Sequence, residues 1–205
     1  MANVDWNMIS RSSLPEGTIR HLKDHLVWSL VFEHSTLSES FIEEFATPED
    51  WPIISQFQKL SEHFITKHSD SLNWKLLSSH QTLSEEFIEK YSDKIDWENI
   101  SQHQKLSETF ILKHRERLDM QKISQHQTLS EDTIRELQDV VDWTAITQHQ
   151  TLGETFILEF QNKIDYCFIS QQQLSDTFFQ SDMYKKACWI VLTEICKKLD
   201  LLLKK

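Results

Sequence analysis

Glycine and proline are nearly absent from this chain of 205 residues, which has only Gly17, Gly153, Pro15, Pro48 and Pro52. Sheets and tight turns draw on both residue types, and a phosphate-cradling loop needs several glycines, so neither is expected and an all-α fold is predicted. Long apolar runs are also missing. No stretch approaches the roughly 20 apolar residues that span a bilayer, so no membrane span is expected. The start MANVDWNMIS lacks the basic-then-apolar pattern of an export leader. Cysteine is limited to Cys167, Cys188 and Cys196, with no C-x-x-C pair. An odd, unpaired set in a chain without a leader points to reduced thiols in the cytoplasm. Positive charge is short as well: 21 Lys and Arg stand against 32 Asp and Glu, a net charge of −11. That balance repels a phosphate backbone, which disfavours nucleic acid and favours a protein partner of basic character.

What the chain has instead is repetition. The stretch ISQHQKLSETFI begins at Ile100 and ISQHQTLSEDTI begins at Ile123. Marker leucines Leu14, Leu37, Leu60, Leu83, Leu106, Leu129 and Leu152 are spaced by 23 residues, and Leu174 follows after 22. A period of this length is the signature of a stacked repeat. The chain divides into an amino-terminal half-repeat cap (1–13), seven tandem repeats (14–173), and a partial repeat with a carboxy-terminal cap (174–205). No linker composition interrupts the array, so one elongated domain is expected, roughly eight units at about 8 to 10 Å each.

Each repeat carries two helix-start signals. In Leu83-Ser84-Glu85-Glu86-Phe87-Ile88, the serine is an N-cap and the glutamate behind it suits the helix dipole. Leu83 and Ile88 then occupy the two positions of a hydrophobic staple. In Ile95-Asp96-Trp97 and on to Ile100, aspartate caps a second helix closed by the same staple. Helices are therefore predicted to begin after the serine or proline that follows each marker leucine, and again after Asp50, Asp96, Asp119, Asp142 and Asp165. Such short helices are unstable alone and must be held by their neighbours. The resulting architecture is an α-solenoid of stacked helix-turn-helix repeats. Tyr184 to Lys205 abandons the repeat for a wide apolar band that predicts a longer capping helix, which also offers a route to homo-oligomers.

Columns of identical residues follow from the period. Trp6, Trp28, Trp51, Trp74, Trp97 and Trp143 form one, with Met120 and Tyr166 in the remaining places; large aromatics at a repeated helix position predict a buried core. Gln58, Gln81, Gln104, Gln127, Gln150 and Gln173 lie on the stripe of the second helix, where their amides suit open carbonyls at its end or in the next repeat. The histidines His34, His80, His103, His126 and His149, interrupted by Phe57 and Gln172, sit at the margin of that stripe. Two roles remain open for them: caps favoured by the helix dipole, or a working surface. With the neighbouring glutamines they give the candidate binding surface Gln56, His80, Gln102, His103, Gln125, His126, Gln148, His149 and Gln171.

Catalytic, cofactor and metal sites are not expected. No serine, cysteine or histidine departs from the repeat as a nucleophile or base. Histidines one repeat apart stand roughly 8 to 10 Å from each other, whereas zinc ligands converge within about 2.0 to 2.3 Å of the ion.

With L-S-E-x-F-I and D-W-x-x-I-S in hand, the region from Val4 to Phe179 resembles short helical-repeat proteins of large DNA viruses and bacteriophages. The first repeat departs from that pattern at Val27 and Phe32, where aspartate and serine are usual. The resemblance implies a viral or phage protein that binds and diverts a host component, hence a non-enzymatic protein-binding scaffold. Two other readings stay open: an acidic decoy for a nucleic-acid site on a host defence protein, and an assembly protein that associates through its carboxy-terminal helix.

Overall fold

The computed structural model describes residues 4–182, 184, 185 and 189, and every regular element among them is helical. Contacts group the chain into two units, Met1–Lys105 and Leu106–Lys205. Unit one holds α1 (Trp6–Ser10), α2 (Glu16–Leu22), α3 (Trp28–His34), α4 (Glu39–Phe45), α5 (Trp51–Phe57), α6 (Glu62–Lys67), α7 (Trp74–His80), α8 (Glu85–Lys90) and α9 (Trp97–His103). Unit two holds α10 (Glu108–His114), α11 (Met120–His126), α12 (Glu131–Glu136), α13 (Trp143–His149), α14 (Glu154–Glu159) and α15 (Asp176–Gln180). The predicted carboxy-terminal capping helix, with Cys188 and Cys196, falls almost wholly outside the described residues; Cys167 is exposed.

Local chemistry starts each helix where the caps predict. The hydroxyls of Ser38, Ser61, Ser84, Ser107, Ser130 and Ser175 accept a bond from the third amide of their helices. Asp5, Asn73, Asp96, Asp119 and Asp142 do the same for the second helices. The staples close: Leu83 and Ile88, and Ile95 and Ile100, are all buried.

Within each unit the repeats stack through their second helices: α1, α3, α5, α7 and α9 pack in succession in unit one, and α11 packs on α13 in unit two. Val31, Ile54, Leu77, Ile100, Ile123 and Ile146 of these helices are fully buried, and Phe41, Phe64, Phe87, Phe110 and Phe156 of the first helices are buried as well.

Three predicted features are corrected. No α-helix follows Asp165; the chain makes turns and a 3-10 turn, Ile169–Gln171, because this repeat is one residue short. Asp50 does not cap α5 with its side chain. It closes a capping box with Thr47 around a 3-10 turn, Pro48–Asp50. The tryptophans are half-buried rather than core. Indoles lie between a second helix and the following first helix: Trp74 packs on Phe87 and Tyr91, and Trp143 on Phe156 and Phe160. The ring N–H is satisfied by a nearby carbonyl, Ser69 for Trp74 and Gln138 for Trp143. A lysine, Lys94 or Lys163, covers part of the exposed side. A bicyclic ring on a two-turn helix is too wide to pass wholly beneath the next helix, so one edge stays at the surface.

Candidate binding edge and the ladders beneath it

Three polar ladders join neighbouring repeats, and they account for most of the repeated polar residues. The first is glutamine. Gln81 Nε2 donates to the carbonyls of Ser55 and Gln58 at 3.0 and 2.7 Å, while its Oε1 accepts the Leu60 amide at 3.0 Å. Gln58, Gln104 and Gln150 repeat this pattern. In the short last repeat the role passes to Gln172, which reaches Thr147, Gln150 and Leu152, instead of the expected Gln173. A second helix reduced to a 3-10 turn delivers the amide one residue early.

The second ladder is hydroxyl. Ser78 Oγ donates to the Trp74 carbonyl and accepts the Asp96 amide, so one small side chain ties a second helix to the start of the next second helix. Ser55, Ser124 and Thr147 act alike. Phe32 has no hydroxyl to offer, and the Asp50 amide bonds the Thr47 carbonyl instead, which produces the 3-10 turn there.

The third ladder is carboxylate. The first residue of each first helix accepts the amide of the next repeat's N-cap: Glu16 from Ser38, Glu39 from Ser61, Glu62 from Ser84, Glu108 from Ser130, Glu131 from Gly153 and Glu154 from Ser175. Sequence reasoning assigned these glutamates to the helix dipole alone. The Ser130 amide bond holds the Glu108 carboxyl below its ordinary range, as the Ser38 amide does for Glu16 and the Ser175 hydroxyl and amide do for Glu154. A carboxyl whose folded pKa is depressed adds stability above its unfolded value near 4.3, and that contribution is lost as pH falls through the folded value. The unfolding midpoint is therefore expected to drop as pH falls from 5 toward 3, with a shallower drop in Glu108→Gln. An unchanged slope in a urea titration across that range would remove the carboxylate ladder from the account of acid stability.

Charges on the first helices are also engaged between repeats. Lys67 and His68 both meet Glu43, Lys94 meets Asp70, and Arg135 meets Glu159. No buried side-chain polar atom among the described residues lacks a hydrogen-bond partner.

The candidate surface lies where the second helices end. His80, His103, His126 and His149 are exposed, as are Gln148 and Gln171, while Gln56, Gln102 and Gln125 are half-buried. His80 Nδ1 lies 3.2 Å from the Leu76 carbonyl and 2.6 Å from Ser79 Oγ, a cap-like arrangement. No hydrogen bond joins His103, His126 or His149 to any described residue.

Clefts open along this edge between successive repeats. In unit one, a cleft of about 250 Å³ is lined by Gln56, Phe57, Lys59, His80, Gln81 and Thr82 among others, with Gln56 Nε2 3.5 Å from His80 Nε2. In unit two, a cleft of about 500 Å³ is lined by Gln148, His149, Gln150, Thr151 and Gln171 to Gln173. The structure thus brings Gln56 to His80, and Gln148 and His149 to Gln171. Phe57, taken from sequence as a break in the histidine column, is nearly half exposed (46%) at the cleft wall. Its apolar type among polar neighbours was the available signal.

Among the described residues no group of three or more His, Cys, Asp or Glu side chains gathers to hold a metal ion, and no helix is long and apolar enough to cross a membrane. The chain matches no protein-family model, no curated protein and no solved structure.

Proposed function

We propose that this chain is a non-enzymatic binding scaffold whose second-helix edge receives an extended polypeptide segment. One observation carries the reading: the buried glutamines and serines and the first-turn glutamates satisfy neighbouring backbone groups, whereas the recurring histidines are exposed, His80 and His149 beside inter-repeat clefts. A side chain repeated at each 23-residue step without a packing role suits a ligand that also runs along the repeats. Rows of amide and imidazole groups supply both donors and acceptors for a peptide main chain. Repetition of every polar column, with no exceptional nucleophile or base, supports a binding protein over an enzyme.

The resemblance of the L-S-E-x-F-I and D-W-x-x-I-S motifs to repeats of large DNA viruses and phages makes a host protein the expected source of that segment. The acidic decoy draws support from the net charge of −11, yet many of the acids are engaged in ladders and ion pairs on the first helices. Assembly through the carboxy-terminal helix concerns residues that lie outside the described set.

The test is a selection of displayed random peptides on the native protein, followed by the fourfold replacement of His80, His103, His126 and His149 with glutamine. Surface substitutions away from buried contacts change stability by about 0.5 kcal/mol or less. Retained stability with lost peptide capture is expected. A lowered unfolding midpoint with capture intact would return the histidines to a structural role.

A further inference from the structure

The acids of this molecule are not spread evenly. From Ser55 onward, every segment that forms the second-helix edge is free of Asp and Glu: SQFQKL from Ser55, SSHQTL from Ser78, SQHQKL from Ser101, SQHQTL from Ser124, TQHQTL from Thr147 and SQQQL from Ser170. The position after the ladder glutamine is lysine at Lys59 and Lys105, and otherwise threonine or glutamine. Only the first repeat departs from this, with Glu33 Oε1 3.8 Å from His34 Nε2. Glutamates instead occupy the starts and outer faces of the first helices, where they hold amides and cations of the neighbouring repeat. Within a chain of net charge −11, each unit therefore presents a second-helix edge free of carboxylates from Ser55 onward, with Lys59 and Lys105 on that of unit one.

We infer that these edges are selective for an extended peptide segment bearing carboxylates, bound at the inter-repeat cleft beside Lys59 and His80 in unit one and, separately, at the cleft beside His149 in unit two. The inference rests on the scaffold reading above and gives the bound peptide a sign. The unit-one cleft has no carboxylate in its lining, and beside the glutamine ladder it carries the Lys59 ammonium, the Thr82 hydroxyl and the Gln56–His80 pair, so its one formal charge is positive. A carboxylate takes two to four such donors, and charge-assisted bonds of this kind are about twice as strong as neutral ones. A peptide lysine or arginine would meet an ammonium and an imidazole instead. The net charge does not reverse this local preference, because at physiological salt charges farther than about 8 Å are largely screened. Phe57, at the same wall, supplies an apolar surface for the peptide's intervening side chains.

The test uses three fluorescein-labelled peptides of one length, in which alternate residues are glutamate, glutamine or lysine, titrated with the full chain by anisotropy at pH 7. The glutamate peptide is expected to bind at least about tenfold tighter than the glutamine peptide, the value of one charge-assisted contact, and the lysine peptide least. A Lys59→Glu, His80→Glu, His149→Glu variant should invert that order, with its unfolding midpoint measured to show that the fold persists. A native protein that prefers the lysine peptide overturns the inference. Equal binding of all three overturns it while leaving the scaffold reading intact, since the edge then reads main chain alone. Binding by none overturns both. Displacement of the glutamate peptide by a single-stranded oligonucleotide of matched charge would also overturn it, as the edge would then read any polyanion.

Discussion

Replacing Gln81 with alanine is expected to destabilise the protein by about 3 to 5 kcal/mol in urea unfolding, more than removal of any capping residue. The side chain is 6% exposed and makes three main-chain bonds, to two carbonyls of the preceding repeat and to the Leu60 amide that opens its own. Its loss leaves the Leu60 amide and the Ser55 and Gln58 carbonyls without partners, each an orphan worth about 1 to 3 kcal/mol. The lower part of that range applies because water can enter through the neighbouring cleft, which Gln81 itself lines. Gln81→Glu tests the geometry differently. A carboxylate would still accept the Leu60 amide but would face two carbonyl oxygens, so the variant's deficit relative to the native chain should be larger at pH 7 than near pH 4, where a protonated acid can donate to one of them. A loss below about 1 kcal/mol for Gln81→Ala would mean that the ladder follows the stacking rather than holds it.

Trp143→Ala is expected to cost about 2 to 3 kcal/mol, less than the 3 to 5 kcal/mol of a fully buried large aromatic because the ring is half-exposed. The indole packs on Phe156 and Phe160 with centroids 6.2 and 5.0 Å away, and its N–H reaches the Gln138 carbonyl at 3.0 Å. Lys163 Nζ lies 5.4 Å from the ring centre. The chain supplies a control in its own sequence. Trp74 stands with Lys94 and Trp143 with Lys163, but where the tryptophan becomes Met120 the matching residue is Val140. Trp143→Met combined with Lys163→Val should therefore lose less stability than the sum of the single changes, as residues in contact are not additive. Strict additivity would show that the lysine adds nothing to the ring.

The candidate edge was only partly legible. Gln56 and His80 belong to adjacent columns of successive repeats, so the period brings them near one junction; the structure places them in one cleft. The distribution of acids was written in the sequence but carried no meaning until the second-helix ends were known to line inter-repeat clefts within each unit. Gln172 and Gln173 show the opposite problem. A run of three glutamines, Gln171 to Gln173, gives no hint of which one reaches the preceding repeat, because that depends on how many residues the final turn takes.

What the sequence by itself determined is where helices start, how long each repeat is and which residues are apolar core. Caps and staples act within about five residues, so Ser84, Asp96, Leu83 and Ile88 declare their roles locally. Tertiary structure alone decided what the polar columns bind. The partners of Gln81 are main-chain atoms 21 to 26 residues away, and a backbone amide or carbonyl is the same whatever side chain it carries. It also decided that tryptophan stays half in solvent, since the space between a second helix and the next first helix is set by packing of the whole stack and not by the hydrophobicity of the ring.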